Sequence, residues 1–548
     1  MPLKGFRGYE KEDAERYSRS RWWLGMTFGD MFNKASDLYP HREALVDDEN
    51  RFTYGELREK VDRLAIGLMK VGIEKQDRVL LQLPNWSEFV YSYFALQKIG
   101  AIVVLLLPRH GRLEISHIAR LTEAVAWILP EQYRKANNLP LIHEVLEKNP
   151  QLKHVILVRR KEPNRFMDLE RLIGEADLSD SNLRQLTDRT PDPMEVAHMG
   201  PTGGTTGLPK LAPRTHNDHI CNIEYKTRTW ELISNDTCAA VAPAGHDMTF
   251  TVAICGTIFA FGKLLLLDST RPEDFCMVVE REKATCAVMV PALAMRIANF
   301  DGLKHYNLSS LVKLHVGGAP SSPDLIRAMD EKIGCKYVIG FGSTEGLNVM
   351  TRLDDDLDTV CNTSGRACCP YTQLKIIDQD GNELPANVVG ELAIKGPDVF
   401  AGYFKSPEEN KRAFTKDGFF ETGDLATIDD GGNIRVKGRI KDVILRGGEN
   451  IIPAEIEGLI IDHPDVEAVS VIGMPDEELG ERACAYIQPA PGTKPSSDAI
   501  IAFLKRKGAS LLQLPERIEF IDGLPLTKVG KVDKRALKED IRKRVGIA

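Results

Sequence analysis

The 548 residues hold no Cys-x-x-Cys pair, no apolar run as long as a membrane span, and no large excess of either charge. Each absence removes a class of function. The ten cysteines are scattered, and the densest group, Cys361, Cys368 and Cys369, has no histidine at zinc-ligand spacing. This predicts free thiols in a reducing compartment, with the adjacent Cys368 and Cys369 as the one place where oxidation is expected. The most apolar stretch, 251–267, is broken by Gly256, Gly262 and Lys263, falls short of the ~20 residues a spanning helix needs, and is expected in a core. With 71 Lys+Arg against 79 Asp+Glu, the net charge of −8 gives no general attraction for nucleic acid or an anionic membrane. Lys4, Arg7, Glu10, Lys11, Glu12 and Asp13 mix both charge signs where a signal peptide would need an apolar core, so a cytoplasmic protein is expected.

What is present reads as a multidomain α/β chain, since at roughly 150 residues per domain the length corresponds to three or four structural units. Thr53-Tyr54-Gly55-Glu56 opens a helix in which Leu57, Val61, Leu64 and Leu68 share one face. Residues 78–83 and 101–107 read as buried strands flanking a helix over 85–99, and 124–129 and 154–158 as further strands. Such repeated units imply largely parallel sheet covered on both sides. Strands at 238–242, 286–290, 311–316 and 337–339 continue the pattern. From 373 to 424 the texture is β-rich, which predicts a smaller β-barrel-like unit. The cluster Gly438-Arg439-Ile440-Lys441 then marks a boundary before a C-terminal α+β segment, with helices at 452–461 and 500–507 and strands at 466–473 and 483–487.

The stretch Thr202-Gly203-Gly204-Thr205-Thr206-Gly207-Leu208-Pro209-Lys210 is the strongest chemical signal. Glycines let backbone N–H groups approach a ligand closely, threonines add hydroxyl donors and Lys210 adds a cation, a composition suited to a polyphosphate. It lacks the Gly-Lys-Ser/Thr ending of a Walker A loop, and with apolar residues on both sides it is expected between two strands. Four strand-end segments accompany it: Pro243-Ala244-Gly245-His246-Asp247, Gly317-Gly318-Ala319-Pro320, Phe341-Gly342-Ser343-Thr344-Glu345-Gly346 and Thr422-Gly423-Asp424. An aromatic, hydroxyls and carboxylates in such turns can stack a base, bind phosphate, hold Mg²⁺ and accept from ribose hydroxyls. Each is also an ordinary turn when taken alone.

Together and in this order, with Gly438 to Lys441 and then Lys531, the segments resemble the adenylate-forming superfamily of acyl-CoA synthetases, adenylation domains and luciferases. The resemblance spans almost the whole chain. It implies an N-terminal domain of two α/β sheet subdomains plus the β-barrel-like subdomain over 1–437, a hinge at 438–441 pivoting at Lys441, and a small mobile α+β lid over 442–548. It further implies that Thr202 to Lys210 cradles the outer phosphates of ATP, that Gly318, Ala319 and Phe341 hold the adenine, that Pro320, Gly342 and Ser343 belong to the same nucleotide site, and that Thr344 contacts the α-phosphate. Glu345 would hold Mg²⁺, Asp424 with Arg439 the ribose, and Lys531 the carboxylate and α-phosphate. Arg446, Gly447, Gly448 and Glu449 would line a pantetheine tunnel for CoA.

Within the superfamily, Pro213-Arg214-Thr215-His216, Thr351-Arg352-Leu353-Asp354-Asp355 and Arg446 to Asn450 look most like the 2,3-dihydroxybenzoate-AMP ligase branch. An aromatic or alicyclic ring acid is therefore the expected substrate. Its pocket would be made by His246, Asp247, Gly317, Gly318 and Asn348, with His246 at the family's gate position and counted with Thr344, Glu345 and Lys531 among the catalytic residues, and Asp247 stands where that branch carries an asparagine. ATP, Mg²⁺ and CoA are the implied cofactors and co-substrates, with a carrier-protein arm as the alternative acceptor and a monomer or homodimer as the expected state.

Overall fold

Alternation along the strands decides the layering of the first unit. Cys238, Ala240, Leu264, Leu266, Cys286 and Val288 are buried on one face of a nine-stranded sheet, and Ala239, Leu265, Ala287 and Met289 on the other. Side chains point to opposite faces at every step, so a sheet apolar on both faces must be covered on both. The computed structural model describes residues 3–202, 208–527 and 532–546. It divides into one unit of Met1–Gln373 with Ile394–Gly418 and a second of Leu374–Ala393 with Phe419–Ala548.

The first unit holds two sheets. The larger runs in the order Arg366–Ala367, Asn348–Met350, Lys336–Gly342, Lys313–Gly317, Cys286–Met289, Thr237–Ala240, Lys263–Leu266, Glu43–Val46 and Arg51–Thr53, parallel from Lys336–Gly342 through Glu43–Val46. The smaller has seven strands, Lys210–Thr215, Val196–Thr202, Ile102–Leu105, Arg78–Leu81, Ala126–Pro130, His154–Val158 and Met167–Asp168. Both inner faces share one core with the helices Phe28–Leu38, Tyr54–Lys70, Ser87–Lys98 and His216–Thr229. The helix Tyr54–Lys70 starts at a capping box, where Thr53 N donates to Glu56 Oε2 at 2.8 Å, and buries Leu57, Val61, Leu64 and Leu68. Every residue of Ser87–Lys98 is buried, and its Lys98 pairs with Asp62 of the neighbouring helix.

The second unit contains a four-stranded sheet, Gln373–Ile377, Gly390–Lys395, Phe420–Ile428 and Ile434–Arg439, and a five-stranded sheet carrying the helices Pro453–Ile460, Ser497–Arg506 and Lys534–Arg544. Strands expected at 466–473 and 483–487 are longer, forming one antiparallel hairpin of Val466–Asp476 and Gly480–Pro489. The expected core stretch 251–267 is largely buried and begins as a π-helix over Thr249–Cys255. Among the described residues no helix is long and apolar enough to cross a membrane. All ten cysteines are free and only Cys361 is not fully buried. Burial pushes the Cys368 thiol up to about 12, so Cys368 lacks the thiolate character that oxidation needs.

One contact ties packing to the strand ends. A Cβ on Gly340 would overlap the imidazole of His315 on the adjacent strand, and one on Gly317 would stand 2.5 Å from the Gly340 carbonyl. Gly340→Ala should therefore cost roughly 1–3 kcal/mol through overpacking. Adding His315→Ala should relieve most of that cost, so the two substitutions will not be additive in thermal unfolding; additive losses would contradict the overlap.

Candidate active site

In the larger sheet, three parallel strands deliver three of the sequence-derived segments to one edge. Thr237–Ala240 leads to His246 and Asp247, Lys313–Gly317 to Gly318, and Lys336–Gly342 ends in Phe341 and Gly342 before Thr344 and Glu345. The carboxyl ends of parallel strands are where open α/β sheets bind ligands. Gly317 and Gly340 are register partners on adjacent strands, which sets the two turns side by side. Gly318 has φ of +86°, a left-handed conformation that favours glycine, and Ala319 and Pro320 are exposed beyond it. A Gly317 Cβ would lie 3.0 Å from Met248 Sδ, so the glycine lets the 243–248 turn pack against the strand end.

That turn is braced from behind by Asn85, which sequence reasoning missed. Its buried amide donates to the carbonyls of Ala242 at 2.9 Å and Leu267 at 3.1 Å and accepts from the Ala244 N–H at 2.7 Å. One side chain thus fixes the exit of the strand before His246, whose Nδ1 accepts from Met248 N at 3.3 Å.

The glycine-rich stretch leaves the smaller sheet as expected, between Val196–Thr202 and the antiparallel Lys210–Thr215, with Thr202 opposite Lys210. Gly203, Gly204, Thr205, Thr206 and Gly207 lie outside the described residues. Its base meets the Thr344–Glu345 turn in two ways. A Cβ on Gly200 would stand 2.5 Å from Thr344 Cγ2, so only glycine lets the strand approach that closely. Arg214, fully buried on the returning strand, donates from Nη1 to the Thr344 carbonyl at 2.9 Å, from Nη2 to the Asp398 carbonyl at 2.7 Å and from Nε to Asp218 at 2.5 Å. Asp218 in turn caps the helix His216–Thr229 through Thr215.

Lys210 and Glu345 are joined through Tyr403, a second residue the sequence did not single out. Lys210 Nζ sits 4.9 Å from the Tyr403 ring centroid and pairs with Glu409, while the Tyr403 hydroxyl donates to Glu345 Oε1 at 2.8 Å. The Lys210 ammonium holds the Glu409 carboxyl below its ordinary range. Glu345 therefore has one oxygen committed to Tyr403 and is 9% exposed. Among the described residues no three His, Cys, Asp or Glu side chains converge as a metal cage. This donor set fits Mg²⁺, which is held by one or two carboxylates together with substrate phosphates. Ser343 Oγ is buried without a hydrogen-bond partner among the described residues.

Asp247 departs from a simple pocket wall. Its carboxylate lies 3.7 Å from Lys226 Nζ and 3.5 Å from His219 Nε2, both on the helix His216–Thr229. Asn348 donates to the Asn222 carbonyl of the same helix at 3.5 Å. Burial holds the His219 imidazole well below its ordinary value and lowers the Lys226 ammonium.

In the second unit, Asp424 and Arg439 are register partners on neighbouring strands, and Arg439 Nε donates to the buried Asp424 carboxylate at 2.7 Å. Gly423, at φ of +71°, donates its N–H to Glu391, and Thr422 Oγ1 donates to the Leu392 carbonyl at 2.8 Å. Lys441 lies in the short 3₁₀ turn Ile440–Asp442. Arg446 and Glu449 close a hairpin over Gly447 and Gly448, both at positive φ, and Arg446 pairs with Glu516 at 2.6 Å. Lys531 lies outside the described residues.

Residues 32–404 match the family model of the AMP-binding enzyme, and residues 455–531 that of the AMP-binding enzyme C-terminal domain. The chain is 36% identical over 544 residues to the 2,3-dihydroxybenzoate-AMP ligase of Bacillus subtilis (strain 168), covering 99% of each. It is 35% identical over 538 residues to the 2-hydroxy-7-methoxy-5-methyl-1-naphthoate--CoA ligase of Streptomyces carzinostaticus, covering 97% of this chain and 96% of that one. The apo structure of Mycobacterium smegmatis MbtA superposes with a TM-score of 0.74 at 31% identity, covering 98% of each chain.

The clamp around Arg214 generates a pH prediction. Burial raises the Asp398 carboxyl from 3.8 to about 6, against hydrogen bonding from Thr372 and the charge of Arg214. A folded value above the unfolded one means that the native state binds the proton more tightly. Stability from this group is greatest at low pH and falls as pH rises from 3.8 through about 6. Asp398→Asn, which keeps the shape without the charge, should raise the thermal midpoint at pH 8, a gain of at most roughly 2–3 kcal/mol. The gain should shrink towards zero below about pH 4, and an equal gain at both pH values would contradict the assignment.

Proposed function

The chain belongs to the AMP-binding enzyme family and is an adenylate-forming ligase, and from that premise we propose that it activates an aromatic or alicyclic ring acid as the acyl-adenylate and transfers the acyl group to a phosphopantetheine thiol, in the first reading that of CoA. The observation that carries the proposal is the clamp that holds Thr344 and Glu345 against the base of the glycine-rich stretch, because adenylation requires phosphate-binding and metal-binding groups held together.

Adenylation brings two anions into reaction. An oxygen of the acid's carboxylate attacks the α-phosphorus of ATP, the bond to the bridging oxygen breaks, and pyrophosphate leaves. Catalysis is mainly positioning and charge neutralisation. In this proposal the Thr202–Lys210 stretch takes the outer phosphates, Thr344 the α-phosphate, Gly318, Ala319 and Phe341 the adenine, and Asp424 with Arg439 the ribose. Mg²⁺, held by Glu345, would offset phosphate charge. Lys531 would neutralise the approaching carboxylate and the α-phosphate. The thiol then attacks the acyl carbon and AMP leaves, with Lys441 as the pivot between half-reactions and Arg446 to Glu449 along the pantetheine arm.

The Bacillus subtilis relative is named for the AMP ester alone, and this favours a second reading in which the acceptor arm belongs to a separate carrier protein. The two readings share the first half-reaction. They separate at the second.

Acid-dependent exchange of labelled pyrophosphate into ATP across aromatic, alicyclic and aliphatic acids, followed by addition of CoA, tests the proposal. A ring acid should support exchange and then yield acyl-CoA and AMP. An adenylate that persists when CoA is added would select the carrier reading, and absence of exchange with every acid would contradict both. Lys531→Ala should lower exchange by at least about 100-fold while sparing thioester formation from supplied acyl-adenylate; equal loss of both half-reactions would remove Lys531 from the adenylation step.

A further inference from the structure

Residues 396–400 form a turn in which every residue is buried and none belongs to a strand. A buried carbonyl outside a sheet must take its donor from elsewhere. Three successive carbonyls of this turn take theirs from side chains far away in the chain. Trp23 Nε1 donates to Pro397 at 2.7 Å, Arg214 Nη2 to Asp398 at 2.7 Å and the Tyr9 hydroxyl to Val399 at 2.7 Å. The next residue, Phe400, donates its N–H to the Glu345 carbonyl at 2.8 Å. A Cβ on Gly346, whose φ is +115°, would stand 2.7 Å from Val399 Cα, so the turn is seated directly against the residue after Glu345.

Two of these three donors come from the N-terminal segment, ahead of the AMP-binding region that begins at 32. Tyr9 precedes the helix Lys11–Arg19, and Trp22 and Trp23 follow it. Trp23 meets Tyr9 edge-on with ring centroids 5.1 Å apart and Tyr17 in the same manner at 5.1 Å, so the three rings form one wedge. Buried with the wedge are Cys221 of the helix His216–Thr229 and Cys369. Trp22 stacks on Tyr371 at 4.4 Å, and Asp13 pairs at 3.4 Å with Lys395, at the start of the turn. Burial and the charge of Asp218 hold the Tyr9 phenol well above its ordinary value, which keeps it a donor. Phenylalanine would cover the core as well as these rings do. The polar tips of Tyr9 and Trp23 are instead aimed at the two carbonyls that flank the one taken by Arg214.

Resting on the adenylation reading above, we infer that Tyr9 and Trp23 are positioning residues for adenylation: from the N-terminal segment they hold the turn 396–400 in place, and through it the Thr344–Glu345 turn at the nucleotide. Neither side chain touches a reacting atom in this account. The links are short. Tyr9 and Trp23 fix the carbonyls on either side of Asp398, Arg214 bridges the carbonyls of Asp398 and Thr344, and Phe400 holds the carbonyl of Glu345. Deleting one donor leaves a buried carbonyl unpaired, and the turn shifts to satisfy it. Groups that act on a transition state must be held within about 0.5 Å of their productive place, so the loss falls on kcat. His246, Asp247 and Asn348, expected around the acid, stand on none of these links, and the acid's KM is spared.

The test uses the full chain with single substitutions. Tyr9→Phe keeps the ring and deletes the donor alone, and Trp23→Phe keeps an aromatic and deletes the indole N–H. Tyr54→Phe is the control, because it deletes a buried hydroxyl that donates to the Gly262 carbonyl at 2.8 Å, just ahead of the strand Lys263–Leu266 and so at the sheet edge opposite the site. Acid-dependent pyrophosphate exchange at saturating ATP, well below each thermal midpoint, should show kcat at least about tenfold lower in Tyr9→Phe and in Trp23→Phe, with the acid's KM within about twofold of native. Tyr54→Phe should lower the thermal midpoint comparably and keep the native kcat. If Trp23→Phe does not fold, Tyr9→Phe decides. A folded Tyr9→Phe with native kcat overturns the inference. So does a loss of kcat in Tyr54→Phe that matches its loss of midpoint, which would trace the effect to stability alone, or a raised acid KM at native kcat. No exchange by the native enzyme with any acid defeats instead the adenylation reading on which the inference stands.

Discussion

A single buried guanidinium organises the first unit. Arg214 is fully buried, and its charge is balanced by Asp218, the third residue of the helix that follows its strand. Its remaining donors reach two carbonyls far away in the chain, those of Thr344 and Asp398. Taking a cation out of water is expensive, and the cost is offset only when geometry satisfies nearly every donor. The planar fork of arginine does this where an ammonium could not. The strand that carries the glycine-rich stretch, the cap of the following helix and the Thr344–Glu345 turn are consequently fixed to one another by one group.

The rest of the site follows from that constraint and from the layering. Parallel strands bring their carboxyl ends to one edge, and glycines at 200, 317 and 340 let neighbouring chains approach where a methyl would collide. Asn85 holds the exit of one strand and Tyr403 links Lys210 to Glu345. Rigid placement suits a reaction whose chemistry is largely positioning and electrostatics.

Much of the fold was legible because local and tertiary signals agree. The capping box at Thr53 and Glu56 with its four apolar partners, the short apolar strands at 78–81 and 102–105, and the flanking strands of the glycine-rich stretch all carry their signal within a few residues. The helix His216–Thr229 was not legible, since His219, Asn222 and Lys226 occupy positions where periodicity expects apolar side chains. Nor were the roles of Asp398 and Tyr403 in the site, because their partners lie tens to hundreds of residues away and no local pattern announces them. Arg214 stood within a recognisable Pro-Arg-Thr-His segment, but its service to Thr344 and Asp398 is purely tertiary. The two long strands of the C-terminal hairpin were read too short because Met474-Pro475-Asp476 looks like a turn and instead continues the ladder.

The central claim is that the acid's own oxygen attacks the α-phosphorus. Supplying a ring acid whose carboxylate carries oxygen-18, with ATP, Mg²⁺ and a thiol acceptor, tests this most directly. The bridging oxygen of an acyl-adenylate leaves with the nucleotide, so the account predicts AMP carrying one labelled oxygen and pyrophosphate carrying none. Label appearing in inorganic phosphate beside ADP would mean attack at the terminal phosphorus and would contradict it.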